Sequence, residues 1–216
     1  MTKTHIIFDL DGTLIDSSPS ILAGFAYALE QMGVKPARPL TSEVIGPPLM
    51  QTLTNLSGST DIALLKALAE HFKSHYDTEG YKKTVVFQGM DEMLQALAKA
   101  GKQLYIATNK RLNPTLKIMQ HLGWSQLFAG IYALDYYQPA VASKQEMIGR
   151  ILQDHHLALA DSLYVGDRFE DGMSAEGNGL EFAMVTWGYL DEASGKPPEN
   201  WAIYQSPQAM QQAITA

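Results

Sequence analysis

The stretch from residue 4 to residue 13 reads Thr-His-Ile-Ile-Phe-Asp-Leu-Asp-Gly-Thr, an apolar run that ends at two acids. Residues 4–8 predict a buried strand, and Gly12 indicates the turn that follows it. Because side chains alternate along a strand with a period of two, Asp9 and Asp11 point to the same side, about 7 Å apart. At average residue frequencies, Asp-x-Asp-Gly-Thr arises by chance in about 0.002 of chains of this length. The stretch predicts a strand that carries two carboxylates into one site, the alternative being an acidic turn at the strand end.

From about residue 84 onward, short apolar runs alternate with helical patterns. The helices are bounded by typical start and stop residues: Asn113-Pro114 and Gly123 for one, Ser143 for the next, and Ser206-Pro207 for the last. Such alternation predicts an α/β fold with a mostly parallel sheet and helices on both faces. Ligands of these sheets bind beyond the carboxyl ends of the strands. The predicted strands are residues 84–87, 103–108, 130–134, 162–165, 181–186 and 201–204.

Residues 16–83 show helical patterns and no convincing strand. Apolar residues recur at helical spacing over residues 19–32 and again over residues 61–76. The segment Gly46-Pro47-Pro48-Leu49 between them favours a turn. We therefore predict a helical insertion placed directly after the first strand.

The composition excludes several classes of protein. The chain has 216 residues, 16 Lys plus Arg against 23 Asp plus Glu, a net charge of -7 and no cysteine. This charge has the wrong sign for a broad nucleic-acid-binding face, and no apolar run approaches the roughly 20 residues of a membrane span. The apolar stretch at the N-terminus is broken by acids and does not resemble a signal peptide, so we expect a cytoplasmic protein. Without cysteine, disulfides, thiolate zinc sites and a cysteine nucleophile are excluded.

A second acidic group, Gly166-Asp167 with Asp171, follows another apolar run. If a helix begins there, the two acids share one of its faces and repel each other unless a cation lies nearby. Oxygen ligands without Cys or His favour Mg²⁺ over zinc. The alternative is that both acids interact only with the dipole at the start of the helix.

Two further segments carry groups suited to phosphate oxygens. Thr108 ends a predicted strand and is followed by Asn109 and Lys110, so hydroxyl, amide and N–H donors gather at that strand end. Lys144 lies at a predicted helix start, where a cation is unfavourable for the helix dipole and a carboxylate or phosphate partner would explain it. Taken alone, these segments are also compatible with an ordinary turn and with a solvated lysine.

Taken in order, these motifs resemble those of the haloacid dehalogenase-like hydrolase superfamily. The resemblance covers nearly the whole chain and implies a Rossmann-like core formed by residues 1–15 and 84–216. Residues 16–83 would form a helical cap, similar to that of the phosphoglycolate phosphatase-like branch. One departure is Arg168, because a small hydroxyl residue often follows the acid at this position. The residues that carry the resemblance are Asp9-Leu10-Asp11-Gly12-Thr13, Thr108, Lys144, and Gly166-Asp167 with Asp171.

The resemblance also implies a role for each matching residue. Asp9 would be the nucleophile that forms an aspartyl-phosphate, and Asp11 the acid that protonates the leaving alcohol and then activates water. Mg²⁺ would be held by Asp9, the backbone carbonyl of Asp11 and Asp167, with Asp171 in support. A carboxylate that attacks a phosphate dianion meets charge repulsion, so a cation and a lysine are needed to screen it. The residues expected to hold the phosphoryl group are Thr108, Asn109 and Lys144.

We therefore expect a Mg²⁺-dependent phosphatase that acts on small phosphate monoesters, in the manner of a phosphoglycolate phosphatase or a 5'-nucleotidase. Asp11 favours phosphate over carbon–halogen chemistry, because the dehalogenases of the superfamily lack this acid. The alternatives are a phosphotransferase or phosphomutase of the same superfamily, a phospho-accepting signalling module, and an inactive relative. The expected partner is a small phosphorylated metabolite, and the charges of residues 16–83 favour no particular one. Arg168 and residues 46–49 are candidates for facing the leaving group.

Overall fold

Six parallel strands form the central sheet of the computed structural model, which describes residues 3–189 and 195–215. In chain order the strands are β1 (His5–Phe8), β2 (Ile15–Asp16), β3 (Val85–Val86), β4 (Gln103–Thr108), β5 (Gly130–Ala133), β6 (Ser162–Gly166), β7 (Glu181–Val185) and β8 (Ala202–Tyr204). The order across the sheet is β5-β4-β1-β6-β7-β8, and each neighbouring pair is parallel. The predicted α/β fold with a mostly parallel sheet is confirmed.

The helices follow the predicted start signals closely. At the start of α6 the Ser143 hydroxyl accepts the N–H of Glu146 at 3.1 Å, and Pro207 is the first residue of α8. No helix in the described parts of the chain is long and apolar enough to cross a lipid bilayer. The helices are α1 (Ser18–Gln31), α2 (Leu49–Ser57), α3 (Ile62–Tyr76), α4 (Met90–Lys99), α5 (Leu112–His121), α6 (Lys144–Asp154), α7 (Phe169–Glu176) and α8 (Pro207–Thr215).

The sheet buries side chains on both faces, because successive residues of a strand point to opposite sides. Along β1, Ile6 and Phe8 pack against α4, α5 and α8 on one face. Ile7 packs on the other face, against α6 and α7. Strands covered on both faces are apolar throughout, which is why the sequence shows continuous runs at β1, β4 and β6.

Strand β1 lies at the centre of the sheet, between β4 and β6. The chain order runs outward from it in both directions, to β4 and β5 on one side and to β6, β7 and β8 on the other. This is the doubly wound, Rossmann-like topology, in which ligands bind where the strand order reverses. The carboxyl ends of β1, β4 and β6 therefore bring three polar segments together, residues 9–13, 108–110 and 166–171.

Helices α1, α2 and α3 pack around a shared apolar cluster, which is consistent with the predicted helical insertion after the first strand. Phe25 of α1 stacks on Phe72 of α3 with 4.6 Å between ring centroids, and Phe72 stacks on Tyr76 at 5.4 Å. Helix α2 begins at Leu49, so the segment predicted as a turn at residues 46–49 also holds a helix start. That residues 16–83 form a separate cap domain remains a prediction.

A two-stranded antiparallel ribbon lies where the chain enters and leaves the insertion. In this ribbon Ile15 pairs with Val86, and Asp16 pairs with Val85. The predicted strand at residues 84–87 was therefore wrong in its length and place, because only Val85–Val86 pairs as a strand and it does not join the central sheet. Val85 is 58% exposed, whereas a strand of the central sheet must be covered on both faces.

Candidate active site

Asp9 is the first residue after β1, and a buried lysine binds its carboxylate. Lys144, the first residue of α6, donates to Asp9 Oδ1 at 2.9 Å and to Asp171 Oδ1 at 2.6 Å. Burial disfavours the charge of this lysine, but Asp171 and Asp9 offset it and raise the pKa of Lys144 well above its ordinary value. The unfavourable position of Lys144 at a helix start is thus explained by two carboxylates.

Asp167 follows β6, its side chain is fully buried, and its hydrogen-bond donors are neutral groups. The Thr13 hydroxyl donates to its Oδ1 at 3.0 Å, and the backbone N–H of Tyr189 donates to its Oδ2 at 2.7 Å. Gly12 lies against this carboxylate with a φ of +87°, and a Cβ at that position would overlap Asp167 Oδ2. The glycine after Asp11 is therefore required for the β1 loop to pass directly beside Asp167.

Asp9, Asp167 and Asp171 form a cluster of buried carboxylates, which we call the carboxylate cluster. One oxygen of each lies within 4.8 Å of the others. Burial raises the pKa of Asp9 to about 6, against the opposing effect of Lys144 and reinforced by Asp171. Burial, with the charges of Asp171 and Asp9, raises the pKa of Asp167 to about 8. The negative charge of these buried carboxylates is not balanced by the neighbouring cations. Carboxylate oxygens in such surroundings suit a hard divalent cation such as Mg²⁺.

Asp11 is bound by a different lysine. Lys110, two residues beyond β4, donates to the two carboxylate oxygens of Asp11 at 3.0 and 3.1 Å, and the Ser17 hydroxyl also donates to Oδ1. Lys110 lies 4.7 Å from the centre of the Tyr76 ring. Burial disfavours its charge, but Asp11 and Tyr76 raise the pKa of Lys110 above its ordinary value. The two acids of the first motif thus have separate lysines.

Thr108 and Asn109, predicted to hold phosphate, lie at the carboxyl end of β4 beside β1. The buried Thr108 hydroxyl accepts the N–H of Lys110 at 3.2 Å, so its own O–H remains able to donate. The side-chain amide of Asn109 instead donates to the Gly46 carbonyl at 2.9 Å, and its Oδ1 is buried without a partner. The side-chain amide of Asn109 therefore binds the insertion. A role of Asn109 in phosphate binding stays a prediction.

Arg168 links the loop after β6 to the insertion. Its guanidinium donates to the Tyr189 carbonyl at 2.9 Å and to the Glu43 carbonyl at 3.5 Å, and it packs against Gly46. Its backbone N–H donates to Asp171 Oδ2 at 3.2 Å. An arginine at this position therefore connects the carboxylate cluster to the segment that precedes α2.

Two chambers meet in the site. Both are lined by Asp9, Gly46, Pro47 and Asn109. The first, which we call the aromatic chamber, extends from Asp11 into the insertion, and the second, the polar chamber, extends toward α6 and α7. The aromatic chamber is walled by Ile21, Phe25, Val44, Ile45, Leu49, Phe72 and Tyr76, and the polar chamber includes Lys144, Arg168 and Asp171.

The model of the haloacid dehalogenase-like hydrolase family matches residues 6–185. The chain belongs to this family of hydrolases. The hydrolase is 31% identical to a 5'-nucleotidase of Pseudomonas aeruginosa, over 87% of this chain and 85% of that protein. It is 30% identical to a phosphoglycolate phosphatase of Cereibacter sphaeroides, over 85% of each chain. The predicted family resemblance is therefore confirmed.

A solved structure resembles the hydrolase over almost its whole length. It is that of Mycobacterium tuberculosis protein tyrosine kinase A, with a TM-score of 0.83 and 26% identity, covering 99% of this chain and 98% of that one. The likeness agrees with the Rossmann-like α/β fold. Family membership confirms that the chain is an enzyme of the hydrolase class, whereas the roles of individual residues and the metal remain predictions.

The sequence patterns do not assign Ser17 or Tyr189 to the site of the hydrolase, and they place Lys110 at the end of a strand without indicating that it binds Asp11. Lys110 follows Thr108 at the same two-residue spacing as the first acidic pair, and this spacing could have identified it. Ser17 belongs to none of the motifs singled out in the sequence, yet its hydroxyl binds Asp11. Tyr189 has no sequence signal, because its contact with Asp167 depends on how the loop after β7 returns to β1.

Proposed function

We propose that this hydrolase is a Mg²⁺-dependent phosphatase that cleaves small phosphate monoesters through an aspartyl-phosphate on Asp9. The observation that carries the proposal is the separate pairing of the two acids of the first motif. Asp9 lies in the carboxylate cluster with Lys144 and lines both chambers, whereas Asp11 binds Lys110 and lines the aromatic chamber. The carboxylate that attacks phosphorus and the acid that protonates the leaving oxygen need different surroundings, and Asp9 and Asp11 have them. The relatives named as a 5'-nucleotidase and a phosphoglycolate phosphatase support the same reaction class.

The carboxylate cluster fits the proposed metal. Asp9, Asp167 and the backbone carbonyl of Asp11 would hold Mg²⁺, and Asp171 would support it. The raised pKa values of Asp9 and Asp167 support this assignment, because they report negative charge that Lys144 leaves uncompensated. When bound, Mg²⁺ would screen the phosphate from the attacking carboxylate and stabilise the charge on the phosphoryl oxygens.

In the first step, a carboxylate oxygen of Asp9 attacks phosphorus, and the bond from phosphorus to the leaving oxygen breaks. Asp11 gives its proton to that oxygen, so the alcohol departs uncharged. Lys144 and the Thr108 hydroxyl would bind phosphoryl oxygens, where their positive charge and O–H would stabilise the transition state. The products of this step are the alcohol and an aspartyl-phosphate on Asp9.

In the second step, a water molecule attacks the phosphorus of the aspartyl-phosphate. The bond between phosphorus and Asp9 breaks, and the proton of the water passes to Asp11. Asp11 can accept this proton because it gave its own to the leaving alcohol in the first step. Inorganic phosphate leaves, Asp9 is regenerated, and Asp11 has recovered the proton it gave to the alcohol.

The substitution Asp9→Asn tests the nucleophile, with Asp135→Asn as the matched control. Asp135 lies just beyond β5, which β4 separates from β1; its side chain is exposed and accepts the N–H of Leu112 at 2.8 Å. We expect Asp9→Asn to lose phosphate release from p-nitrophenyl phosphate by at least about 1,000-fold, whereas Asp135→Asn retains it. Mass spectrometry of the acid-quenched wild-type enzyme should locate one phosphoryl group on Asp9. Equal turnover by the two variants would contradict the proposal.

One observation favours a second function, a phosphotransferase that delivers the phosphoryl group to an acceptor other than water. It is the likeness to the solved structure named as a protein tyrosine kinase. Turnover in ¹⁸O-labelled water distinguishes the two reactions. A phosphatase places one labelled oxygen in each phosphate released, whereas a transferase places the phosphoryl group on the acceptor and releases little phosphate.

A further inference from the structure

We infer that the preferred substrates carry an uncharged, largely apolar leaving group, and that phosphates with a carboxylate in the leaving group are poor substrates. The inference rests on the proposed phosphatase reaction and adds the substrate class to it. It depends on where the leaving group must lie, on the chemistry of the walls there, and on which cations are available.

The position of the leaving group follows from the two acids. Asp9 lines both chambers, so a phosphorus atom within its reach lies where the chambers meet. Asp11 must contact the leaving oxygen to protonate it, and Asp11 lines the aromatic chamber. Among the described residues, the walls of the polar chamber include Lys144 and Asp171 but not Asp11. The leaving group therefore extends into the aromatic chamber.

The wall of the aromatic chamber is built from the apolar core of the insertion. Phe25, Phe72 and Tyr76 stack in sequence along one side, with ring centroids 4.6 and 5.4 Å apart. Ile21 and Leu49 also line it. A surface of this kind gains free energy by covering apolar atoms of a ligand, and it offers little to a charged group.

The cations of the aromatic chamber already have partners. Lys110 binds both oxygens of Asp11, and Arg111 binds the two oxygens of Asp77 at 2.8 and 2.5 Å. In residues 3–189 and 195–215, no other lysine or arginine lines this chamber. A carboxylate in the leaving group would remain unpaired, or it would have to displace Asp11 or Asp77. Burial of an unpaired carboxylate is strongly unfavourable.

Arg168 does not change this conclusion, although its guanidinium is buried and contacts mainly carbonyl groups. It lines the polar chamber, on the side of Lys144 and Asp171. A leaving group that reached Arg168 would point away from Asp11 and could not receive its proton. The sequence-based suggestion that Arg168 faces the leaving group is therefore not retained.

Isobutyl phosphate and 2-phosphoglycolate provide a direct test, because two methyl groups of the first replace the two carboxylate oxygens of the second. We expect kcat/KM of the wild-type enzyme to favour isobutyl phosphate by at least about tenfold, since the carboxylate loses its hydration without gaining a partner. Equal or better turnover of 2-phosphoglycolate would overturn the inference.

Substitutions at two adjacent residues test whether the substrate preference arises in the aromatic chamber. Leu49→Lys places a cation in the aromatic chamber, whereas Met50→Lys adds the same charge one residue later, at a side chain that is 42% exposed. Leu49→Lys should shift the kcat/KM ratio toward 2-phosphoglycolate by at least about fivefold, and Met50→Lys should leave the ratio unchanged. Equal shifts in the two variants would contradict the assignment to this chamber.

Binding measurements keep this inference separate from the proposed reaction. Calorimetric titration of the Asp9→Asn variant with each phosphate measures the ranking without turnover. Tighter binding of isobutyl phosphate supports the substrate class even if the wild-type enzyme releases no phosphate, a result that would overturn only the reaction. Tighter binding of 2-phosphoglycolate would overturn the substrate class, whatever the activity.

Discussion

The substitution Asp167→Asn should stabilise the metal-free protein, and increasingly so as the pH rises. The side chain of Asp167 is fully buried, and its hydrogen-bond donors, Thr13 and the backbone of Tyr189, are neutral. Burial and the neighbouring charges of Asp171 and Asp9 raise its pKa from 3.8 to about 8. Between these two pH values the folded protein binds a proton at Asp167 that the unfolded chain has released.

The sign and size of the effect follow from this proton. Where the folded state binds more protons than the unfolded state, the free energy of unfolding falls as the pH rises. One proton corresponds to about 1.4 kcal/mol per pH unit. Between pH 5 and pH 7, Asp167 alone should therefore lower the free energy of unfolding by about 3 kcal/mol. Asn cannot ionise, and its carbonyl can still accept one of the two hydrogen bonds.

Urea unfolding in EDTA at pH 5, 6 and 7 measures this difference. The free energy of unfolding of Asp167→Asn, relative to wild type, should increase by about 1.4 kcal/mol per pH unit. The exposed control Asp135→Asn should show no such trend. Mg²⁺ should reduce the advantage of Asp167→Asn, because the ion replaces the proton in the wild-type site. A difference that does not change with pH would refute the protonation of Asp167 in the metal-free protein.

Three further predictions concern the same site. Mg²⁺ binding at pH 7 should release about one proton, most of it from Asp167, which calorimetry in buffers of different ionisation enthalpy detects; no release would contradict the metal site. Gly12→Ala should lower the free energy of unfolding by at least about 1 kcal/mol more than Gly101→Ala in urea titrations. Both glycines have a positive φ, but a Cβ at Gly101 meets nothing within 4 Å, whereas one at Gly12 meets Asp167, and equal losses would argue against this contact. Lys110→Met should lower kcat about 10- to 100-fold, because Asp11 loses the lysine that positions it, and an unchanged kcat in steady-state kinetics would contradict that role.

The fold could be predicted where burial produces a clear sequence pattern. Strand β4 has the predicted bounds, because a strand covered on both faces is a continuous apolar run. The two-residue β3 was misplaced, since such a short apolar run cannot show which sheet it joins. Helix α2 was missed because Pro47, Pro48 and the polar residues Thr52 and Thr54 hide its apolar spacing.

The site could be predicted in part for a similar reason. Parallel strands end at the same edge of a sheet, so acids that follow β1 and β6 must lie close together. This rule brings Asp9, Asp167 and Asp171 into one cluster, as the structure finds. Contacts between side chains from distant segments follow no such rule. The amide of Asn109 binds Gly46, 63 residues away, and no local pattern indicates that choice.

Local sequence patterns predicted the doubly wound core, the helical insertion and the acids that meet at the end of β1, because periodicity and strand ends are local properties. Only the tertiary structure decided which lysine binds which acid, and that the cations beside Asp11 are already paired. It also decided that aromatic side chains of the insertion wall the chamber beside Asp11. These properties depend on side chains of α1 and α3 that line the chamber beside the ends of β1 and β4, and contacts between segments far apart in the chain leave no local signal.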